Sequence, residues 1–439
     1  MDHGTASGAG SANGRRIDHT ALLIAFHFPP IQGSSGVQRT LRFAQHLPAF
    51  GWRPVVLTIV PEAYETARPA TSNEIPATVE VHRAHGFDAA RQLSWRGRYP
   101  RMVAMPDRWA TWQYWAVRKA LRVARTLRVD IVWSTFPIAT AHLIGLKVAR
   151  RSGLPWVAEF RDPMWQGDYP PDRRVNAMWK RMEGEIFGRA TRIVVTTPGA
   201  ADEYAGRFPG YPPERIVLIS NGFDEETFQR ATASLPAAGT QTRDGPVTLL
   251  HSGIVYRSER DPTQLFSAIA RMKAQGRLSA SRFQLVLRAS GDDVGFARDV
   301  ARLGIDDIVR LEPHVDYVQA LQEMLTVDGL LLLQASNCNA QVPAKLYEYL
   351  RAGRPIVALT DPLGDTARTL GSAGTGILAR LDSMDEIESA LLQFIDEARA
   401  GTWLRPSSET VASFSRRSQA GQLAGLLDSI MAEQGLAGS

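Results

Sequence analysis

The chain alternates two kinds of apolar pattern from Thr20 onward. Ala21-Leu22-Leu23-Ile24-Ala25-Phe26 is an unbroken apolar run, as in a parallel strand covered on both faces. A loop follows, His27-Phe28-Pro29-Pro30-Ile31-Gln32-Gly33-Ser34-Ser35-Gly36. Beyond it, Val37, Leu41, Phe43, Ala44 and Leu47 fall on one face of a helix that Gly51 closes. Val55–Thr58 is the next strand, so the opening reads as a strand–loop–helix–strand unit. The alternation continues with strands at 131–133, 156–160, 192–197 and 216–219 and helices at 139–152, 173–189 and 198–207. Between Gln229 and Gly245 the chain turns polar and reads as a linker. A second series follows: strands at 247–251, 283–287, 308–311, 329–333, 355–359 and 375–379, with helices at 262–275, 294–303, 316–325, 384–399 and 416–434.

Strands regularly separated by helices predict parallel sheets with helices on both faces. A length of 439 residues exceeds one ordinary core, and the polar stretch divides it into two α/β halves of similar size. The expected organisation is a tail at 1–18, a first domain at 19–228, a linker at 229–245, a second domain at 246–410, and a closing segment at 411–439. The tail is rich in Gly, Ala and Ser without an apolar core, unlike a signal peptide. No run approaches the roughly 20 apolar residues that span a bilayer. The single cysteine, Cys338, excludes an internal disulfide framework and suits a reducing cytoplasm. Neither Cys/His zinc spacing nor an Asp-x-Asp motif occurs, so no metal is expected.

Chemistry concentrates where strands end. After the strand at 329–333 comes Val342-Pro343-Ala344-Lys345-Leu346-Tyr347-Glu348-Tyr349-Leu350-Arg351-Ala352-Gly353. Lys345 and Glu348 are three residues apart and share one face of a short helix. A cation at a helix N-terminus attracts a diphosphate, and a carboxylate accepts hydrogen bonds from ribose hydroxyls. An ordinary amphipathic helix with a surface Lys–Glu pair gives the same pattern. His251-Ser252-Gly253 ends another strand, with Arg257 four residues after the glycine and Arg260 its rival. Gly33-Ser34-Ser35-Gly36 opens the first helix with neither a GxGxxG fingerprint nor a Walker lysine, which argues against a dinucleotide or ATP. Arg161-Asp162-Pro163 ends a strand of the first half; its arginine either meets an acceptor or fixes its own loop. Thr135 and His142 flank a neighbouring strand–helix loop, and the histidine reads as structural.

The segment around Lys345 and Glu348 resembles the donor-binding region of the GT-B glycosyltransferases of family 4. Those enzymes carry two glutamates eight residues apart; Glu348 matches the second, and Ala340 stands where the first would fall. The glycine loop and Arg161-Asp162-Pro163 resemble further features of the family. The resemblance implies a GT-B fold, α/β, with two Rossmann-like doubly wound domains facing an interdomain cleft and a final helix crossing back to the first. It implies retaining transfer of a sugar from a nucleoside diphosphate-sugar to an acceptor hydroxyl, with no cofactor beyond that donor. In this reading Arg257, Lys345 and Arg161 carry the catalytic charge. Gly33, Ser34, Ser35 and Gly36 face the phosphate side of the sugar, and Gly253 lies beside the diphosphate. Glu312, Pro313, His314 and Val315 line the base, and Glu348 holds the ribose. A UDP-sugar epimerase of the same fold and a non-catalytic sugar-nucleotide-binding protein are the alternatives.

Net charge is +5, and the basic residues are unevenly spread. Between Trp95 and Arg128, Trp95, Trp109, Trp112 and Trp115 interleave with nine arginines and lysines, and Asp107 alone opposes them. That composition fits either a helix with a tryptophan-lined core face or peripheral contact with an anionic membrane. No nucleic-acid recognition motif accompanies it. The expected setting is the cytoplasm, with a peripheral place on the inner face of the membrane as the alternative, a lipid-linked acceptor as one candidate and cell-surface polysaccharide or glycolipid assembly as the process.

Overall fold

A computed structural model of the chain describes residues 17–31, 35–65, 75–235 and 245–437. Most of the expected tail, Gly33 and Ser34 of the glycine loop, and 236–244 of the expected linker lie outside the described residues.

Thirteen strands form two parallel sheets. The first holds β1 (His19–Ile24), β2 (Trp52–Ile59), β3 (Glu80–Ala84), β4 (Ile131–Thr135), β5 (Trp156–Phe160), β6 (Arg192–Val195) and β7 (Ile216–Leu218), in the order β3-β2-β1-β4-β5-β6-β7. The second holds β8 (Val247–Ser252), β9 (Phe283–Arg288), β10 (Val309–Glu312), β11 (Gly329–Leu333), β12 (Ile356–Leu359) and β13 (Ile377–Ala379), in the order β10-β9-β8-β11-β12-β13. Both are doubly wound, with the strand order reversing between β1 and β4 and between β8 and β11. Ligands of open parallel sheets bind outside the strand carboxyl ends at such switch points.

Each apolar run read from the sequence is a strand within three residues at either end. β3 escaped that reading. It is an edge strand paired only with β2, and Glu80, His82 and Arg83 remain half-buried, so its sequence carries no apolar run. The short helix Glu225–Ala233 was also unread. Its Phe228 and Ala231 join an apolar cluster with Leu250, Leu330 and Leu346 of the second half.

By compactness the chain forms two units, Met1–Val194 with Ala420–Ser439, and Val195–Gln419. The division runs through β6, ahead of the polar stretch at 229–245, whose first residues are helical. From Ala420 on, the last helix, Arg416–Ala437, belongs to the first unit. There Trp52 donates its indole N–H to Asp428 at 2.8 Å, and Arg192 pairs with Glu433.

Candidate functional site

In the second unit the residues of interest gather at the β8/β11 switch point. The helix Lys345–Ala352 forms because Leu346, Tyr347, Tyr349 and Leu350 are buried, while Gly353, at φ 68°, ends it in the left-handed conformation. Tyr349 anchors it to β8, its hydroxyl accepting from the Ser252 N–H at 3.1 Å. The loop from β11 into the helix is held from inside. The buried Gln334 amide donates to the carbonyls of Cys338 and Gln341, both at 2.9 Å, and accepts from the Thr366 hydroxyl. Ala340 packs beside Gly199, and its carbonyl accepts from Thr197 at 2.7 Å. At position 340 the chain thus presents only a methyl group.

Lys345 points back toward β8. Its Nζ lies 3.0 Å from Nε2 of His251, a fully buried residue, and 3.2 Å from where a Cβ on Gly253 would stand. Gly253 has φ 107°, so glycine is required here both for its conformation and for the approach of the ammonium. Burial first, then the charge of Arg260, pulls the Lys345 pKa down to about 7, against a smaller opposing pull from Glu348.

Of the two candidate arginines, Arg257 is taken up by Asp292 at 3.2 Å and Asp299 at 2.9 Å and stacks over Phe296. Arg260 donates to the Ile254 carbonyl at 2.9 Å, forms no ion pair among the described residues, and acts electrostatically on both Lys345 and His251. Two cations thus stand near one another beside the Gly253 turn, with no carboxylate bonded to either among the described residues.

Glu348 accepts the Tyr317 hydroxyl at 2.6 Å. Burial pushes its carboxyl pKa up, against the lowering effects of that hydrogen bond and of Arg416 and Lys345. Tyr317 begins the helix after β10, just past the loop Glu312-Pro313-His314-Val315. That loop is fixed by Arg288, which donates to the Pro313 carbonyl at 2.8 Å, while His314 and Pro313 stay exposed. The expected site residues Lys345, Glu348 and Gly253 therefore converge at one end of the second sheet. Tyr317 and His251 join them without having been assigned a role from sequence. Asp316, a helix-capping residue directly after the Glu312–Val315 loop, was the available signal for Tyr317.

The first unit carries its own cluster at the carboxyl ends of β4 and β5. Arg39, fully buried in the helix Ser35–His46, donates through Nε and Nη2 to one oxygen of Glu159 at 2.9 and 2.8 Å. Thr135 donates to the other oxygen at 2.9 Å. Arg161 donates to the Phe136 carbonyl at 2.7 Å, and its guanidinium lies where a Cβ on Gly36 would fall, 2.6 Å away. Burial, with Arg161 nearby, lowers His27 to a pKa of about 4. Glu159 was legible as the one charged residue inside the apolar run at 156–160. His142 is buried between Phe160 and Trp156. Trp156 donates to the Ser134 hydroxyl, which is in turn hydrogen-bonded to Nδ1 of His142 at 2.8 Å, and burial lowers the ring's pKa to about 3. This histidine stays neutral in the core.

The basic aromatic stretch divides in two. Trp95 and Arg98 exchange backbone hydrogen bonds at 2.7 and 2.9 Å across a tight turn with Arg96 and Gly97 at positive φ. Trp95 is 78% exposed and Met102 87%. The helix Trp112–Thr126 instead buries Trp112, Ala116 and Ala120 and turns Tyr114, Arg118, Arg122 and Arg125 outward. No helix of the described residues is long and apolar enough to cross a membrane.

Residues 35–222 match the family described as Glycosyl transferase 4-like domain. No curated protein matches the chain. Among solved structures, sucrose-phosphate synthase from Thermosynechococcus elongatus superposes with a TM-score of 0.66 at 15% identity, covering 95% of this chain and 100% of that one. The HepE protein of Anabaena, in complex with UDP-glucose, gives 0.61 at 15% identity over 94% and 100% of the two chains. The alpha,alpha-trehalose 6-phosphate synthase of Burkholderia multivorans gives 0.63 at 13% identity over 97% and 99%. At these identities the likeness carries the fold, and the fold is GT-B.

Proposed function

We propose that this chain, whose fold is GT-B and whose residues 35–222 match a glycosyl transferase 4-like domain, moves a sugar from a nucleoside diphosphate-sugar to an acceptor hydroxyl. The observation that carries the reading is the pair of cations, Lys345 and Arg260, beside the Gly253 turn, with Glu348 one helical turn beyond Lys345. Lys345 and Arg260 take the diphosphate. Negative charge grows on that group as the glycosidic bond breaks, so fixed cations favour the transition state over the ground state. Arg257, held by Asp292 and Asp299, orders the short helix that carries Arg260 and stands at the rim of the phosphate site. Glu348 accepts the ribose hydroxyls, and the 312–315 loop meets the base. In the first unit, Arg161 and the loop ending at Gly36 are assigned to the sugar and acceptor.

The transfer retains anomeric configuration by front-face displacement: the acceptor oxygen bonds the anomeric carbon as the bond to the diphosphate breaks, and the leaving phosphate takes the acceptor's proton. No metal is required when two cations supply the charge. The exposed Trp95, Met102 and Arg96 are assigned to an anionic membrane surface, which suits a lipid-linked acceptor in polysaccharide or glycolipid assembly on the cytoplasmic side.

Isothermal calorimetry against UDP-, GDP- and dTDP-sugars without metal tests the reading. One member of the panel binds, and with a suitable acceptor it releases nucleoside diphosphate. Sugar-nucleotide conversion without any acceptor sinks transfer in favour of epimerisation. Silence across the panel sinks the donor site.

A further inference from the structure

Lys345 donates a hydrogen bond to a histidine whose tautomer is fixed. His251 Nδ1 lies 2.9 Å from the carbonyl oxygen of Leu331, which can only accept. Nδ1 therefore carries the ring proton, and Nε2 presents a lone pair to the Lys345 Nζ at 3.0 Å. With the proton on Nε2 instead, the Nδ1 lone pair would face the Leu331 oxygen, although the Gly253 backbone also lies within reach of the ring. The histidine ring is fully buried in β8, and the Leu331 carbonyl belongs to the neighbouring strand β11. The second proton that would make His251 a cation is disfavoured by burial first and by Lys345 next.

We propose that His251 is a positioning residue that aims the Lys345 amine at the Gly253 turn, and that an anionic diphosphate binds there together with a proton. The proposal rests on the donor reading above for the identity of the anion, while the Lys–His pair stands on geometry alone. The charged and titratable groups that bear on Lys345 are His251 of β8, Arg260 of the helix Arg257–Arg260, and Glu348 on its own helix. Lys345 and Arg260 are those that bear on His251. Arg260 and burial both oppose the ammonium, while Glu348 and the neutral ring nitrogen support it. A diphosphate adds negative charge beside the amine and draws the proton on. The site then holds its full positive charge only when the anion is present.

The sign follows from that order. Lys345 is lowered to about 7, so below that pH the ammonium is already formed and binding takes up no proton. Above it the free amine must be protonated as the anion enters, and affinity falls as pH rises. For a single linked proton the Kd rises about fivefold between pH 7 and pH 8. The diphosphate of a nucleotide-sugar is a diester with no proton to exchange in that range, so UDP-glucose serves as the probe.

The primary test needs no ligand. Competitive acetylation of the intact protein by trace acetic anhydride, read by mass spectrometry of the peptide containing Lys345, gives the midpoint of that amine. The expected midpoint is near 7 in the wild type. In His251→Asn the shorter amide still donates to Leu331 but does not reach Lys345, and the midpoint falls. In His251→Gln an amide oxygen returns at the ε position and the midpoint recovers. A wild-type midpoint at the ordinary lysine value overturns the proton linkage, and an unmoved midpoint in His251→Asn overturns the pairing. Calorimetry with UDP-glucose at pH 8, in two buffers of different ionisation heat, is expected to show uptake approaching one proton; binding without uptake overturns the linkage. A low Lys345 midpoint together with no nucleotide-sugar binding would sink the donor reading and leave the positioning role of His251 standing.

Discussion

Tyr317 gives its hydroxyl proton to Oε1 of Glu348 across 2.6 Å, and so ties the loop after β10 to the helix after β11. The contact joins two segments that the sequence separates by 31 residues. It keeps the carboxylate in one orientation through Oε1 alone. Glu348 is half-buried, and its raised pKa marks a carboxylate held where the charged form is disfavoured.

That strain separates function from stability at a single residue. A carboxyl whose folded pKa is raised stabilises the fold fully below its unfolded pKa, about 4.3, and loses that contribution as pH rises through the folded pKa. The charged form of Glu348 therefore weighs against folding once pH passes its raised pKa. Glu348→Gln is expected to raise the thermal midpoint on the alkaline side of that pKa, with the gain shrinking as pH falls toward 4. Glu348→Ala is expected to weaken nucleotide-sugar binding by about tenfold or more, as for a lost hydrogen bond to a charged group. Unchanged binding in Glu348→Ala removes the ribose assignment.

Arg260 and Arg257 should separate cleanly. On the proposed donor reading Arg260→Ala is expected to lower donor affinity and flatten its dependence on salt, because it removes a charge that acts on Lys345. Arg257→Ala breaks exposed ion pairs with Asp292 and Asp299, worth about 0–1 kcal/mol each, and leaves affinity within a few-fold. The reverse pattern in calorimetry at two salt concentrations would return the phosphate role to Arg257.

The Arg39–Glu159 pair is a structural requirement of the first unit. Both side chains are buried, and removing one leaves the other charge without its counterion. Arg39→Met is expected to cost about 3–5 kcal/mol in urea unfolding. Arg39→Met combined with Glu159→Leu should recover much of that loss. A single mutant as stable as the wild type would contradict the geometry.

Gly36 and Arg161 are coupled by contact. A Cβ at position 36 meets the guanidinium at 2.6 Å, while Arg161 is tethered to the Phe136 carbonyl. Gly36→Ala should therefore destabilise the wild type, although alanine favours a helix by about 1 kcal/mol over glycine. In an Arg161→Ala background the same change should become neutral or stabilising. A double-mutant cycle with no coupling rejects the contact.

The exposed Trp95 and Arg98 give a membrane test. Sedimentation with anionic phosphatidylglycerol vesicles should carry down the wild type, and Trp95→Ala with Arg98→Ala should reduce the bound fraction several-fold. Wild-type protein that stays in solution with such vesicles removes the membrane assignment.

The sequence by itself determined the fold class. Apolar runs at 21–26, 156–160 and 329–333 can be buried on both faces only in parallel sheets, and the helices between them follow from amphipathic spacing. It also determined that Lys345 and Glu348 share a helix face, because a three-residue separation on a helix does so whatever surrounds it. Only the tertiary structure decided which groups meet that face. His251 and Lys345 are 94 residues apart, and their pairing depends on β8 and β11 being neighbours in the sheet. The choice between Arg257 and Arg260 turns on Asp292 and Asp299, which come from the segment after β9. Edge strand β3 was illegible because one neighbour and a wet face impose no apolar pattern. Local spacing is written in the chain, whereas the partners of a buried charge are set by which strands lie side by side.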